Sequence, residues 1–177
     1  MGDVEEAKKA ADRLQRLAAA VTDPRYRYFA QQMGLQREAV LGIAAIAGGD
    51  RDGGISTLRA AAAREDSLGK HPVSPGAILP IREILADALL GGGRPADALV
   101  EFQAALRIYP KRFNGTYGAA VAAERSGKKD EARRYYNELL EIAKAGDMAR
   151  PEIGEAQRAL KRLAASEPES GARKSGG

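Results

Sequence analysis

The sequence predicts an all-α fold, and three observations carry that prediction. Of its 177 residues 44% are hydrophobic but only 5% aromatic, tryptophan is absent and alanine is abundant, a profile that favours helices over strands. Apolar residues recur at three- and four-residue intervals along most of the chain, and no segment shows the strict alternation of a half-buried strand. Short breaks bearing glycine or proline divide the periodic sequence into about eight segments of helix length.

Taken in order, Asp3 and Glu6 make a capping-box-like start to a first helix near 3–21, whose apolar positions are Val4, Ala7, Ala11, Leu14, Leu17 and Val21. Asp23-Pro24 opens the second, since Asp23 can cap it and proline costs no hydrogen bond in a first turn. Its pattern of Phe29, Met33, Val40, Ile43 and Ile46 runs until "AGGDRDGG" breaks it. A third helix covers about 53–66. The stretch "GKHPVSPGAILP", residues 69–80, then reads as a proline-stiffened connector.

Pro80 opens the fourth helix, "GGGR" ends it, and Pro95 opens a fifth that Pro110 closes. The sixth spans about 112–126, the seventh 129–144, and an eighth starts at Pro151 and fades near Ala165. The resulting organisation is a flanking helix over 1–22, a helical body over 23–165 closed by a terminal capping helix, and a tail over 166–177. That tail has no apolar residue larger than alanine and is expected to be disordered.

Composition narrows the function classes. The absence of cysteine removes disulfides, thiolate zinc sites and cysteine nucleophiles, and leaves both cytoplasm and periplasm open. No apolar run approaches the roughly 18 residues needed to span a bilayer, and the charged N-terminus is unlike a signal peptide. As written the chain reads as soluble and cytoplasmic, or as periplasmic if a leader has been removed. The net charge of +4 is modest and its basic residues are interleaved with acids, which argues against a nucleic-acid footprint.

The chain also repeats. Gly93, Ala98, Phe102 and Ala105 recur as Gly127, Ala132, Tyr136 and Leu139, each 34 residues later, and Ala86 recurs as Ala120. This pattern resembles the tetratricopeptide repeat, a 34-residue helix–turn–helix unit. Leu85 and Ala86 match its Leu-Gly pair, Gly93 its turn glycine, Ala98 its small residue, Phe102 its aromatic and Pro110 its late proline. The early tryptophan is replaced by Arg82 and Thr116, its tyrosine by Leu89 and Ala123, and the second unit ends at Lys144 rather than proline. A more degenerate unit precedes these, with Leu41-Gly42, Gly49, Gly54 and Leu58 in the corresponding places. Gly49 and Gly93 are 44 residues apart, so the 69–80 stretch is about the length of an insertion between units. "REILADALL" and "GRPADAL" also look like the C-terminal portion of larger bacterial proteins of this family.

The resemblance implies a right-handed solenoid of antiparallel helix pairs, acting as a non-enzymatic scaffold for a protein or peptide, with no cofactor, no nucleic acid and no membrane insertion. Its oligomeric state is unspecified. In that family ligand peptides lie in a concave groove lined by the first helix of each unit. Carried across, the lining is Gln36, Ala39, Ile43 and Ile46, then Glu83 and Asp87, then Asn114, Tyr117, Val121 and Glu124. The carboxylate clamp of some members is unmatched, because Glu83 and Asp87 stand where cationic or amide groups are wanted. The expected ligand is therefore basic or neutral.

The competing reading is the metal- or small-ligand-binding part of a larger bacterial enzyme of the family, working through residues 65–87. Its metal candidates are Glu65, Asp66 and His71, beside Glu83 and Asp87 one turn apart. One histidine with carboxylates, at no standard spacing, is a poor zinc set, so no metal is expected. Asp66, His71 and Ser74 invite a hydrolase reading, but no G-x-S-x-G elbow accompanies them and no catalytic residue is assigned.

Overall fold

The structure, a computed structural model, describes residues 2–69, 79–144, 146 and 149–165. The candidates His71 and Ser74, most of the 69–80 connector and the expected tail lie outside these residues. The described chain is all-α and TPR-like, with eight α-helices, one short 3-10 turn and no strand. The helices are α1 (Gly2–Ala19), α2 (Arg27–Ala47), α3 (Arg51–Leu68), α4 (Ile81–Gly91), α5 (Pro95–Ile108), α6 (Phe113–Arg125), α7 (Lys129–Ala143) and α8 (Pro151–Ala165). None is long and apolar enough to cross a membrane. Two compact units result, Met1–Pro110 with α1 to α5 and Lys111–Gly177 with α6 to α8.

In the first unit each helix packs on the next, and α2 also meets α4. The α2–α3 crossing is glycine on glycine. A Cβ added at Gly54 would stand 2.5 Å from the carbonyl oxygen of Gly42, and one at Gly42 would stand 2.9 Å from Leu58 Cγ. In α4 and α5, which pack together, Ala86 and Ala98 are fully buried and Phe102 is 1% exposed. In the second unit α6 packs on α7 and α7 on α8. Ala120 and Ala132 are again fully buried, with Tyr136 in the place of Phe102. Small residues at these positions let helix axes approach closely.

The turn glycines of the repeat confirm its register. Gly49, Gly93 and Gly127 all have positive φ, at +99°, +77° and +78°, the left-handed conformation that ends a helix and that side chains disfavour.

Some starts differ from those the sequence predicts. Asp3 lies within the first turn of α1 rather than ahead of it. Asp23 accepts from the Arg25 N–H at 2.9 Å, but what it caps is the 3-10 turn Pro24–Tyr26, and α2 begins only at Arg27. "AGGDRDGG" is a shorter break than expected, because Asp50 accepts from the Gly53 N–H at 3.0 Å and so starts α3 at Arg51, with both Gly53 and Gly54 inside the helix.

Candidate functional site

In the first unit, α2 holds both ends of the connector. The Tyr28 hydroxyl donates to the Gly69 carbonyl at 3.3 Å, Gln36 Nε2 donates to the Leu79 carbonyl at 3.4 Å, and Gln32 Nε2 donates to Tyr28 at 3.2 Å. Gln36 thus anchors Leu79. Further along α2, Ile43 is 45% exposed.

The acids of the α3–α4 region divide by burial. Glu65 is 4% exposed, and its Oε2 accepts from the Ile81 N–H at 2.8 Å. It caps α4 from another helix, where the exposed amides and the helix dipole favour an anion, while Pro80 offers no side-chain cap. Burial raises the Glu65 carboxyl above the usual carboxylate range, against the lowering effect of the Ile81 bond. Asp66 accepts from Arg82 Nε at 2.7 Å, and Arg82 also pairs with Glu101. The two described metal candidates therefore already serve as a helix cap and an ion-pair partner. No group of three metal-ligating side chains occurs among the described residues.

Glu83 and Asp87 also part company. Glu83 is 2% exposed, so the acidic centre expected of the groove presents one accessible carboxylate, not two. Asp87 is exposed although protein crowds its flanks. Desolvation first, and then the neighbouring Glu83 charge, pushes its carboxyl up to about 6.

In the second unit, α6 carries Asn114, Tyr117 and Glu124, and each meets a group from α7, α8 or the turn before α8. Arg150 stacks on the Phe113 ring at 3.9 Å and donates to Asn114 Oδ1 at 3.0 Å. The Tyr117 hydroxyl donates to Glu155. Glu124 accepts from the Tyr136 hydroxyl at 2.7 Å and from Arg162 at 2.9 Å. Burial and the bond to Glu155 push the Tyr117 phenol up to about 12, and burial and Glu124 likewise raise Tyr136. Both are neutral donors at physiological pH.

These contacts wall a pocket of about 470 Å³ formed by Tyr117, Val121, Glu124, Arg125, Tyr136, Glu155, Arg158 and Arg162. Sequence reasoning placed Tyr117, Val121 and Glu124 on one lining and missed the other five. The signal for three of these lies on α8, where Glu155, Arg158 and Arg162 form a charged stripe beside the buried stripe of Ile153, Ala156, Ala159 and Leu163. From the sequence, that helix reads only as the terminal cap.

Comparison with known proteins agrees with the repeat. The family model described as Tetratricopeptide repeat matches residues 117–143, which span most of α6 and α7. Human "Tetratricopeptide repeat protein 7B" is 40% identical over 58 residues. That alignment covers 33% of this chain and 7% of the relative, so the chain corresponds to a small part of the relative's length. The 34-residue recurrence, the buried small residues at both alanine crossings and the positive-φ turn glycines agree with these matches: the chain carries a tetratricopeptide repeat over 117–143 and is similar to that family over part of its length.

Proposed function

We propose that this chain is a non-enzymatic interaction module that holds an extended segment of a partner protein against the first helices of its repeats. Repeats of this family generally mediate protein–protein interaction; the surface used and the preferred ligand are the proposal. The carrying observation is that α2 and α4, which meet in the first unit, present Ile43 and Asp87 to solvent while their small residues are consumed by helix crossings. Covering Ile43 with an apolar side chain removes exposed hydrocarbon from water. Asp87, reinforced by the buried Glu83 charge, attracts a cation. A basic or neutral peptide, as the sequence predicts, fits this face of the first unit, whereas Asn114, Tyr117 and Glu124 lie on α6 of the second.

The test is a fluorescence-anisotropy titration of the full chain with a labelled peptide of alternating Lys and Ala. The Ile43→Ser, Asp87→Asn double variant should bind it about tenfold more weakly, the loss of roughly 1.4 kcal/mol. Affinity unchanged by the double substitution would remove this face from the site. Glu83 is left intact because its burial would confound binding with stability.

A further inference from the structure

We propose that the pocket between α6, α7 and α8 recognises an acidic side chain of a partner peptide, gripped by Arg125 and Arg158. The proposal rests on the reading of the chain as a peptide-binding module, and assigns to the second unit a ligand charge opposite to that of the first.

Three arginines line this pocket, and they are not equivalent. Arg162 is engaged by Glu124. Arg125 and Arg158 are both exposed and have no hydrogen bond or ion pair among the described residues. The two acids of the pocket are already engaged, Glu124 by Tyr136 and Arg162 and Glu155 by Tyr117. Because the phenols stay neutral, three cations face two anions, and the uncompensated charge belongs to Arg125 and Arg158. The wider surroundings have the same sign. The first unit holds fourteen basic and fourteen acidic residues, whereas the second holds fourteen basic against ten acidic, so the whole +4 excess lies after Pro110.

This balance selects the ligand. A single carboxylate matches the residual charge and accepts the forked donors of a guanidinium, and Val121 offers an apolar wall for the methylenes of a glutamate. A doubly charged phosphate would exceed that balance and meet repulsion from Glu124 and Glu155. Gly154, one turn before Arg158, keeps the guanidinium close to the helix; a Cβ there would stand 3.3 Å from Arg158 Nη1.

The experiment titrates the full chain with a fluorescein-labelled peptide of alternating Glu and Ala, its Gln counterpart and its phosphoserine counterpart. The Glu peptide should bind more tightly than the Gln peptide, with an advantage that shrinks as salt is raised. In the Arg125→Gln, Arg158→Gln double variant that advantage should fall about tenfold, while the circular-dichroism melting curve stays in place because both residues are exposed. The Lys128→Gln, Lys144→Gln double variant removes the same charge from the same unit outside the pocket and should keep the advantage. Equal affinity for Glu and Gln peptides, persistence of the preference in the arginine variant, or equal loss in the lysine variant would each overturn the proposal. Tighter binding of the phosphoserine peptide would overturn the choice of a carboxylate. The first-unit reading is judged separately, by Ile43 and Asp87 with the Lys peptide.

Discussion

Where α2 crosses α3 in the first unit, two glycine backbones meet, whereas the α6–α7 crossing of the second unit is made by alanines. The polar groups differ in the same sense. The first unit buries Glu65 and Glu83, the only buried acids among the described residues. The second keeps Glu124 and Glu155 at the wall of an open pocket, where tyrosine and arginine satisfy them. A carboxylate in the interior must be neutralised or hydrogen-bonded by the fold itself, so Glu65 is committed to the Ile81 amide. One at a pocket wall is held by side chains that solvent and a ligand can also reach. Glutamate is thus interior and structural in the first unit and part of a solvent-facing pocket wall in the second.

The largest expected effect breaks the glycine side of this contrast. Gly54→Ala should destabilise the chain by about 3 kcal/mol, since the new methyl would press on the backbone oxygen of Gly42 and on Ile46. Ala98→Leu, at the matching site of the next repeat, should cost about 1–3 kcal/mol, and exposed Lys129→Ala within about 0.5 kcal/mol. Urea midpoints read by circular dichroism compare the three, and coincident midpoints with equal slopes would refute the register.

A smaller effect probes the buried acid. Glu65→Ala removes the cap on α4 and should cost about 0.5–2 kcal/mol, whereas Glu65→Gln keeps an oxygen for the Ile81 N–H and should cost less at neutral pH. Because the folded-state pKa of Glu65 is raised, the native chain binds this proton more readily than the unfolded one. Its contribution to stability therefore falls as pH rises from the ordinary glutamate range through the raised value. Melting temperatures across that window should show a slope that the Gln variant lacks. If Glu65→Ala and Glu65→Gln melt together at neutral pH, the cap is not what Glu65 provides.

The smallest effect is at the exposed acid. The same sign applies to Asp87: between about pH 4 and its raised value of about 6, wild-type stability should decline with rising pH. Asp87→Asn should flatten that decline and raise stability at pH 7 by no more than about 0.5 kcal/mol, because solvent screens an exposed charge. A wild-type melting profile that already matches the variant's from pH 4 to 7 would remove the Glu83–Asp87 coupling.

The fold was legible where its causes are local. Gly49, Gly93 and Gly127 mark turns by conformational preference, and the recurring small residues mark crossings by size, so a 34-residue spacing exposes both. The cap on α4 was not legible, because Pro80 looks sufficient to open a helix and the group that satisfies the Ile81 amide lies 16 residues earlier. Glu83 was misread for a related reason. Helical spacing places it one turn from Asp87 on α4, but only its neighbours decide that one carboxylate is buried and the other exposed.

By itself, then, the sequence determined an all-α chain of short helix pairs, their repeat register and their resemblance to the tetratricopeptide repeat, since periodicity, propensity and turn chemistry act over a few residues. Only the tertiary structure decided which polar groups answer one another. Tyr117 and Glu155, and Glu124 and Arg162, are each 38 residues apart, and nothing in either local sequence prefers that partner. The stacking of α6, α7 and α8 brings them together by burying apolar faces, and the polar groups at the margins of those faces pair with whatever the packing delivers. Of the three arginines in that pocket, Arg125 and Arg158 are the two that the packing leaves without a hydrogen bond or ion pair among the described residues.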